Sequence, residues 1–292
     1  MSTNLTQRAM LAYISISSWS GMKLDKKAST KLTDAAGASA DAARVNKRLL
    51  AGADAKLTAI RRIDTNARRY LESETLPWDD AGNRLLPNVK AFAVMAKVAE
   101  FRKEFYAAVD ELVAEYPLLR EQALASLGEL ADSADYPPTD QIRHRFEFRI
   151  TFTPLPDSFT GDVRYGLTDE QVQALEAAAQ GRVREQVEHA LRAAIARLLH
   201  DVQHLAAKLK RTDAGEYPIF RDATVENVRA TAEALGPLNV FGDPTLEAMR
   251  QRVLAECCLY DPSALRTLTT ARDDVADKAQ AMVADMLGLL GE

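Results

Sequence analysis

The sequence predicts a mainly α fold: an elongated bundle of long helices with a small antiparallel β-hairpin insertion. Two observations support this. A segment from about residue 169 to 210 has a helical apolar pattern and contains no proline. A single stretch near residues 144–167 alternates apolar with polar residues, as a half-buried strand does. Because no internal repeat divides the chain, we divide it by charge into a basic helical region, 1–75, and a helical body, 76–292.

The composition is that of a soluble folded protein, with 47% hydrophobic and 27% charged residues in a chain of 292. No uninterrupted apolar run approaches the roughly 20 residues that a membrane helix needs. The N-terminus lacks the basic, apolar and small-residue succession of an export signal, so we expect a cytoplasmic protein. Cys257 and Cys258 are neighbours in a helical pattern and are expected to be reduced; a vicinal redox pair is the alternative.

The net charge of −5 is unevenly distributed, since residues 1–70 hold 13 Lys and Arg against 5 Asp and Glu. Such asymmetry is typical of a nucleic-acid-binding arm, or of two parts of a chain that attract each other. Residues 41–71 have a helical pattern in which three pairs of cations recur at multiples of seven, along one flank. These candidates for nucleic-acid contact are Lys47, Arg48, Arg61, Arg62, Arg68 and Arg69. The competing interpretation is a solvated or acid-paired helix face.

A second helix is predicted from about residue 88, with an apolar stripe expected to face the core. The stripe consists of Phe92, Met95, Val98, Phe101, Phe105, Val109 and Leu112. Tyr116-Pro117 is predicted to interrupt this helix, because proline lacks the amide hydrogen and clashes with the preceding turn.

The alternating stretch predicts a hairpin of two strands. Its apolar positions are Phe146, Phe148, Ile150 and Phe152 in the first strand, and Val163, Tyr165 and Leu167 in the second. Thr168 and Gln171 then form a capping-box pattern that begins the long helix. Three more helices follow, the last two opening at Asp243-Pro244 and Asp261-Pro262, where a capping carboxylate precedes a proline.

The long helix carries the most regular periodicity of the chain, an apolar seam spaced four, three, four, three and four residues apart. The seam consists of Leu191, Ile195, Leu198, Val202, Leu205 and Leu209. It predicts contact with another helix, and we interpret it as an interaction seam through which the protein oligomerises or docks a partner.

Two short stretches are candidates for chemistry. His200 and His204 lie one helical turn apart, as in zinc proteases, but Asp201 replaces the usual glutamate and no third ligand is evident. We therefore expect solvated histidines, with a metal as the alternative, and predict no cofactor. The loop LPWDDAGNRLLPN at residues 76–88 has turn chemistry and predicts a rigid corner. The alternative is a binding epitope comprising Trp78, Asp79, Asp80 and Arg84.

Four segments carry a family resemblance: ISSWSGMKLDKK, TLPWDDAGNRLLPN, FEFRITFTPLPD and NVFGDPTLEAMR. Together they resemble a family of uncharacterised proteins from tailed phages and prophages, grouped as a domain of unknown function, and the LPW…G.RLLP box is the most specific part. The resemblance implies a phage or prophage origin. It also suggests a MoxR/cobaltochelatase-like AAA+ ATPase as partner, because family members are often encoded near one. It brings no catalytic residues.

No nucleophile elbow, phosphate-binding glycine loop or dinucleotide fingerprint occurs in the sequence. We therefore expect a non-enzymatic interaction or scaffold protein in the host cytoplasm, a homo-oligomer or an adaptor to an AAA+ ATPase. The alternative is a nucleic-acid-binding protein that uses the basic N-terminal region.

Overall fold

The computed structural model describes residues 5–155 and 168–291. Within these residues the predicted mainly α fold is confirmed. The α-helices are α1 (Lys26–Ala35), α2 (Asp54–Glu74), α3 (Asn88–Leu127), α4 (Asp169–Leu209), α5 (Asp222–Leu238), α6 (Pro244–Arg252), α7 (Pro262–Thr267) and α8 (Thr269–Leu290). The strands are β1 (Ala9–Ser17), β2 (Met22–Asp25), β3 (Val45–Arg48), β4 (Leu76–Pro77), β5 (Arg84–Pro87) and β6 (Glu147–Pro154).

The chain folds into two compact units that interleave along the sequence. Unit 1 is built from the described parts of Met1–Tyr13, Glu72–Val94 and Phe152–Glu292, and unit 2 from Ile14–Leu71 and Met95–Thr151. All four crossings between them fall inside regular elements, namely β1, α2, α3 and β6. The units are therefore not successive segments, as a division at residue 75 would make them, and the first 75 residues contain three strands besides their helices.

The core of unit 1 forms around α4. This helix has 41 residues, so the long helix predicted from the sequence is present. The capping box is present: the Thr168 hydroxyl accepts a hydrogen bond from the amide of Gln171 at 3.3 Å, and the Gln171 side chain accepts one from the Thr168 amide at 2.9 Å. These two bonds satisfy amides that the first turn of a helix leaves unpaired. From there α4 packs mainly against α8 and α5.

The C-terminal helices of unit 1 begin where the sequence predicts, with two corrections. Asp261 precedes Pro262, but its side chain makes no capping hydrogen bond, so the predicted cap there is wrong. Asp243 caps α6 by accepting a hydrogen bond from the Leu246 amide at 2.8 Å. The helix that opens at Pro262 ends at Thr267, and α8 starts separately at Thr269, so the prediction of one continuous last helix is wrong. Val275, Ala279, Met282 and Met286, spaced three or four residues apart along α8, are buried in the core.

The strands form a four-stranded sheet in the order β4-β5-β1-β6 and a separate β2-β3 pair. β1 pairs with β5 in antiparallel register, Ala9 opposite Pro87 and Ala12 opposite Arg84. β6 is the first strand of the predicted hairpin, and Phe148 is buried on its inner face. The second predicted strand, at Val163, Tyr165 and Leu167, lies outside the described residues.

Within unit 2, α3 continues through Pro117, so the predicted interruption there is wrong. Proline inside a helix costs about 3 kcal/mol. Here the neighbouring side chains offset that cost, because Tyr116 and Leu112 are fully buried and the Tyr116 hydroxyl donates a hydrogen bond to the Pro137 carbonyl at 2.8 Å. Packing therefore outweighs the local preference.

Candidate functional site

The predicted interaction seam lies in the interior of unit 1. Leu198, Val202, Leu205 and Leu209 have no exposed surface, Ile195 is buried as well, and Leu191 is partly buried against the same core. The periodicity thus predicts a helix contact correctly, but the contact is made within this chain, against neighbouring helices such as α8 and α5. A partner cannot reach these side chains unless the unit opens.

The two histidines of α4 are exposed at the surface, at His200 and His204. Asp201, between them, accepts a hydrogen bond from the Thr231 hydroxyl at 2.6 Å and so supports the α4–α5 contact. Across the described ranges, 5–155 and 168–291, no three His, Cys, Asp or Glu residues are grouped as a metal ion would require.

Both cysteines are free and buried at the end of a π-helical turn, Val253–Cys257. Burial raises the pKa of the Cys257 thiol to about 12 and that of Cys258 to about 11. Because the thiolate is the reactive form, both thiols are protonated and poorly reactive at neutral pH.

The prediction that six cations share one helix is wrong for the first pair. Lys47 and Arg48 belong to β3, since α2 begins at Asp54. Lys47 is buried in ion pairs with Asp135 and, at 3.3 Å, with Asp25. The position of Lys47 therefore depends on a carboxylate far along the chain. The spacing of multiples of seven between this first pair of cations and those of α2 does not reflect a continuous helix.

Lys47 belongs to a small buried ion cluster that joins β2, β3 and the segment around Asp135. Lys23 binds the other oxygen of Asp135 at 2.7 Å. The hydrogen bonds from Lys23 and Lys47 lower the pKa of Asp135, and the hydrogen bond to Asp135 raises the pKa of Lys47. Unit 2 as a whole holds 19 Lys and Arg against 16 Asp and Glu, a net charge of +3, so its own acids offset most of the N-terminal basic excess.

The four remaining cations do lie on α2, but they differ in their hydrogen bonds and exposure. Arg61 donates to the Ser20 carbonyl at 2.8 Å, and Arg68 to the Asp64 carboxylate at 2.6 Å. Arg62 and Arg69 are exposed, and their spacing of seven residues places them on one face two turns apart. These two are the members of the predicted set best placed to contact a phosphate backbone.

The loop at residues 76–88 has the geometry of a rigid corner between β4 and β5. The Asp79 carboxylate accepts hydrogen bonds from the Asn83 amide at 3.0 Å and the Asn83 side chain at 2.8 Å. Gly82 has a φ of +88°, which favours glycine. Trp78 is 4% exposed and belongs to the unit 1 core, whereas Asp80 is exposed. Of the predicted epitope, Trp78 and Asp79 are thus used by the corner itself.

Arg84, the fourth residue of that epitope, joins Arg197 of α4 at the last turn of α2. Arg197 donates hydrogen bonds to the carbonyls of Glu72, Ser73 and Thr75 at 2.9, 3.1 and 3.0 Å. Arg84 donates to the Thr75 hydroxyl at 2.7 Å and to its carbonyl at 3.4 Å. Because the last carbonyls of a helix have no partner within it and carry partial negative charge, two cations here cap α2 favourably.

These arginines line an open cleft of about 630 Å³ in unit 1, which we call the arginine cleft. Its other lining residues are residues 72–74 and the small residues Ala230, Thr231 and Ala234 of α5. Burial lowers the pKa of Arg84 and of Arg197; the negative charge of Glu72 opposes this and raises both pKa values, while the charge of Arg197 further lowers that of Arg84. Both stay protonated at neutral pH, since a guanidinium has a very high reference pKa. In the part of the chain that the structure describes, neither forms a salt bridge with a carboxylate.

The start of α3 exposes an apolar surface, the apolar turn, formed by Val89, Phe92 and Ala93. Val89 is 83% exposed and Phe92 is 89% exposed. Lys90, between them, binds the carboxylate of Glu74 at 2.8 Å, and Glu74 lines the arginine cleft. Lys90 thus ties the start of α3 to the end of α2.

The prediction that Phe92 belongs to the core is wrong. At the start of α3 the buried positions are Ala91, Val94 and Val98. They are spaced three and four residues apart and therefore form one face of the helix. Phe92 lies on a different face. The apolar pattern of α3 is nearly continuous there, so the sequence alone allows either phase.

Arg197 and the small residues of α5 have no signal in the sequence that would mark them as a site. Arg197 meets the Thr75 carbonyl across 122 residues of chain. The sequence could show at most that Arg84 follows a tight turn, which places its side chain near the end of the preceding helix.

No helix within the described ranges combines the length and hydropathy that spanning a membrane would need. Comparison of the chain with protein-family models, with curated proteins and with solved structures finds no match. The resemblance to a phage and prophage family therefore stays a prediction from the sequence.

Proposed function

We propose that this protein is a non-enzymatic interaction protein of phage or prophage origin, acting in the host cytoplasm, and that it docks a protein partner on the apolar turn. The observation that carries the proposal is Phe92, a large aromatic side chain that is 89% exposed on a regular helix. Aromatic and arginine side chains dominate the binding energy of protein interfaces. Val89 and Ala93 lie on the same face of α3 as Phe92, so the exposed apolar surface extends beyond one side chain.

The burial of the seam supports this choice of surface. Side chains such as Leu198 and Val202 are already covered by the chain itself. A partner, or a second copy in a homo-oligomer, would therefore use exposed groups. The AAA+ ATPase implied by the family resemblance is the first candidate for the partner, and the interaction would make this protein its adaptor.

We expect Phe92→Ser to reduce recovery of the partner about tenfold or more, because losing a hot-spot side chain costs about 2 kcal/mol or more. Recovery is measured by affinity purification from infected or lysogenic cells and quantified by mass spectrometry. Stability should change by less than about 0.5 kcal/mol, because the side chain is exposed.

The matched control is Ile219→Ser, which removes another exposed apolar side chain of unit 1, 93% exposed. It should leave recovery unchanged. Equal recovery with the wild type and with Phe92→Ser, or equal losses in both variants, would contradict the proposed surface. Light scattering that shows a monomer at high concentration, together with no co-purifying protein, would contradict the proposed function as a whole.

A second candidate function, nucleic-acid binding, is supported by the exposed pair Arg62 and Arg69 on α2. Two phosphate contacts predict that the logarithm of affinity falls with the logarithm of salt concentration with a slope of about −2. Arg62→Gln combined with Arg69→Gln should abolish that slope irrespective of DNA sequence. A low-salt titration without measurable binding would end this candidate.

A further inference from the structure

We propose that the antiparallel pair of β2 (Met22–Asp25) and β3 (Val45–Arg48), which we call the ribbon, binds double-stranded DNA by entering its major groove. This activity is independent of the docking of a protein on the apolar turn. It also differs from the second candidate function, because the DNA contacts lie on the ribbon and the start of α1 instead of on α2.

One face of the ribbon is tied to the rest of unit 2. Lys23 and Lys47 lie opposite each other in the antiparallel register, and both bind Asp135. Because side chains alternate between the two faces of a strand, the neighbouring cross-strand pairs point the other way. The ion pairs therefore determine which face of the ribbon is turned outward.

The opposite face of the ribbon, which we call the outer face, is open to solvent. It carries two cross-strand pairs, Met22 opposite Arg48 and Leu24 opposite Asn46. Met22 is 50% exposed and Leu24 is 39% exposed, and Asn46 and Arg48 are exposed as well. Side chains directly opposite each other in a sheet have Cβ atoms about 5 Å apart, so these four residues form one surface.

The residue types of the outer face match the edges of base pairs. In the major groove an arginine donates two hydrogen bonds to guanine, an asparagine makes two with adenine, and apolar side chains contact the methyl group of thymine. The groove is about 12 Å wide and admits a two-stranded ribbon, whose strands lie about 5 Å apart. Single-stranded DNA fits less well, because it is bound largely by stacking on aromatic rings, and none of the four residues is aromatic.

Cations at one end of the ribbon supply contacts to phosphate. Residues 20–48 hold seven Lys and Arg against three Asp, a net charge of +4. Lys26 and Lys27 begin α1 directly after β2, and Arg44 directly precedes β3. All three are exposed, and none of them forms a salt bridge within the described residues. They are therefore free to bind an external anion.

The two lysines are unfavourable for α1 itself. The N-terminus of a helix carries partial positive charge, so cations in its first turn lower the stability of the helix. The first turn of α1 contains no acid, and the residue that caps it, Asp25, is already bound to Lys47. Phosphates beside Lys26 and Lys27 would offset this repulsion.

The acids near the ribbon leave the outer face positive. Arg48 lies 3.4 Å from Asp54, but both side chains are more than half exposed, and such surface ion pairs are weak and screened by salt. A base edge can therefore replace Asp54 as the partner of Arg48. Of the three acids in residues 20–48, Asp25 is bound to a lysine, and Asp34 and Asp41 offset only part of the charge of the exposed cations.

The phosphate contacts are tested by titrating the full-length chain into a labelled short duplex of random sequence at several salt concentrations, followed by fluorescence anisotropy. Lys26→Gln combined with Lys27→Gln should reduce the slope of the logarithm of affinity against the logarithm of salt concentration by about 2, since each phosphate contact contributes about 1. Arg62→Gln combined with Arg69→Gln is the matched control. It removes two exposed cations of α2 and should leave the slope unchanged.

The base contacts are tested by selecting preferred sequences from a random duplex library. Asn46 and Arg48 lie two residues apart on one strand, about 7 Å, so we expect a preferred adenine and a preferred guanine about two base pairs apart. Asn46→Ala is the decisive variant, because it changes no charge at an exposed position. It should reduce the preference for adenine about tenfold, while the salt slope and the stability of the protein stay unchanged.

Several results would overturn the inference. Tighter binding of a single strand than of the duplex would contradict entry into the groove, and an unchanged sequence preference in Asn46→Ala would contradict base contact by the outer face. A slope that depends on Arg62 and Arg69 but not on Lys26 and Lys27 would place the DNA on α2, as in the second candidate function.

The remaining outcomes concern other partners. If the duplex does not bind at low salt, but vesicles of anionic lipid or polyglutamate bind in a way that depends on Lys26 and Lys27, the surface serves a different class of partner and the inference is wrong. The absence of all binding would likewise end it. The docking of a protein on the apolar turn is decided separately by the affinity purification.

Discussion

Shortening Leu198 to alanine is expected to lower the free energy of unfolding of unit 1 by about 3 kcal/mol. Leu198 is fully buried in α4, at the centre of the seam that α4 presents to the rest of unit 1. Removing three carbon atoms there leaves a cavity that the surrounding helices fill only in part. Urea denaturation followed by circular dichroism measures the loss as a lower midpoint with an unchanged slope.

The control for this prediction is Leu175→Ala, the same substitution in the same helix at a position that is 41% exposed. It should cost less than about 0.5 kcal/mol. Because the seam is covered by the chain itself, the loss of stability in Leu198→Ala should be the same at every protein concentration. A rise of the midpoint with concentration, together with a loss below about 1 kcal/mol for Leu198→Ala, would instead mean that a second molecule covers the seam.

Replacing Lys47 by methionine is expected to destabilise unit 2 by about 3 kcal/mol at neutral pH. The substitution keeps most of the side-chain volume but removes the cation from between Asp135 and Asp25, leaving buried carboxylates without that partner. Lys56→Met is the matched control, because the Lys56–Glu115 pair is partly exposed to solvent and should contribute less than about 1 kcal/mol.

The same cluster predicts a pH dependence. The pKa of Asp135 is lowered in the folded protein, so its stabilising effect is complete above its unfolded pKa of about 3.9 and is lost as the pH falls further. The pKa of Lys47 is raised, so its effect is complete below its unfolded pKa of about 10.4 and is lost as the pH rises through the folded value. The difference in stability between wild type and Lys47→Met should therefore be largest between these limits and shrink on either side. A difference that does not shrink even when the pH falls below the folded pKa of Asp135 would contradict an ionic role for Lys47.

The features predicted correctly from the sequence are those with local causes. The capping box at Thr168, the aspartate that caps α6 and the alternation around Phe148 each depend on residues a few positions apart. The seam of α4 is local as well, since its spacing alone shows that one face must be covered. What covers it is not local, and this is why the sequence favours an intermolecular contact where the structure has an intramolecular one.

The errors share a physical origin in contacts between distant parts of the chain. Pro117 is tolerated inside α3 because Tyr116 reaches Pro137. Lys47 leaves the predicted helix because Asp135 binds it in a strand. β1 has little of the alternation between polar and apolar residues that indicates a strand. It forms a strand because it pairs with β5, more than seventy residues later. Helical periodicity and the rules for proline use only neighbouring residues and therefore cannot predict such distant contacts.

The arginine cleft shows the same limit for function. Arg84 is predicted as part of an epitope because its loop has unusual chemistry, but the residue that gives it a role, Arg197, lies on another element. Phe92 is assigned to the core by a periodicity that continues into the exposed face of α3. In both cases the residue type points to binding, and only the fold shows which side chains share a surface.

The most direct test of the docking surface is site-specific photo-crosslinking in infected or lysogenic cells, with a photoreactive phenylalanine analogue at position 92. We predict a discrete adduct with one other protein, and none from the same analogue at position 62, which is exposed on α2. An adduct of twice the mass of the chain would identify the partner as a second copy. The absence of any adduct from position 92, or the same adduct from both positions, would contradict the account.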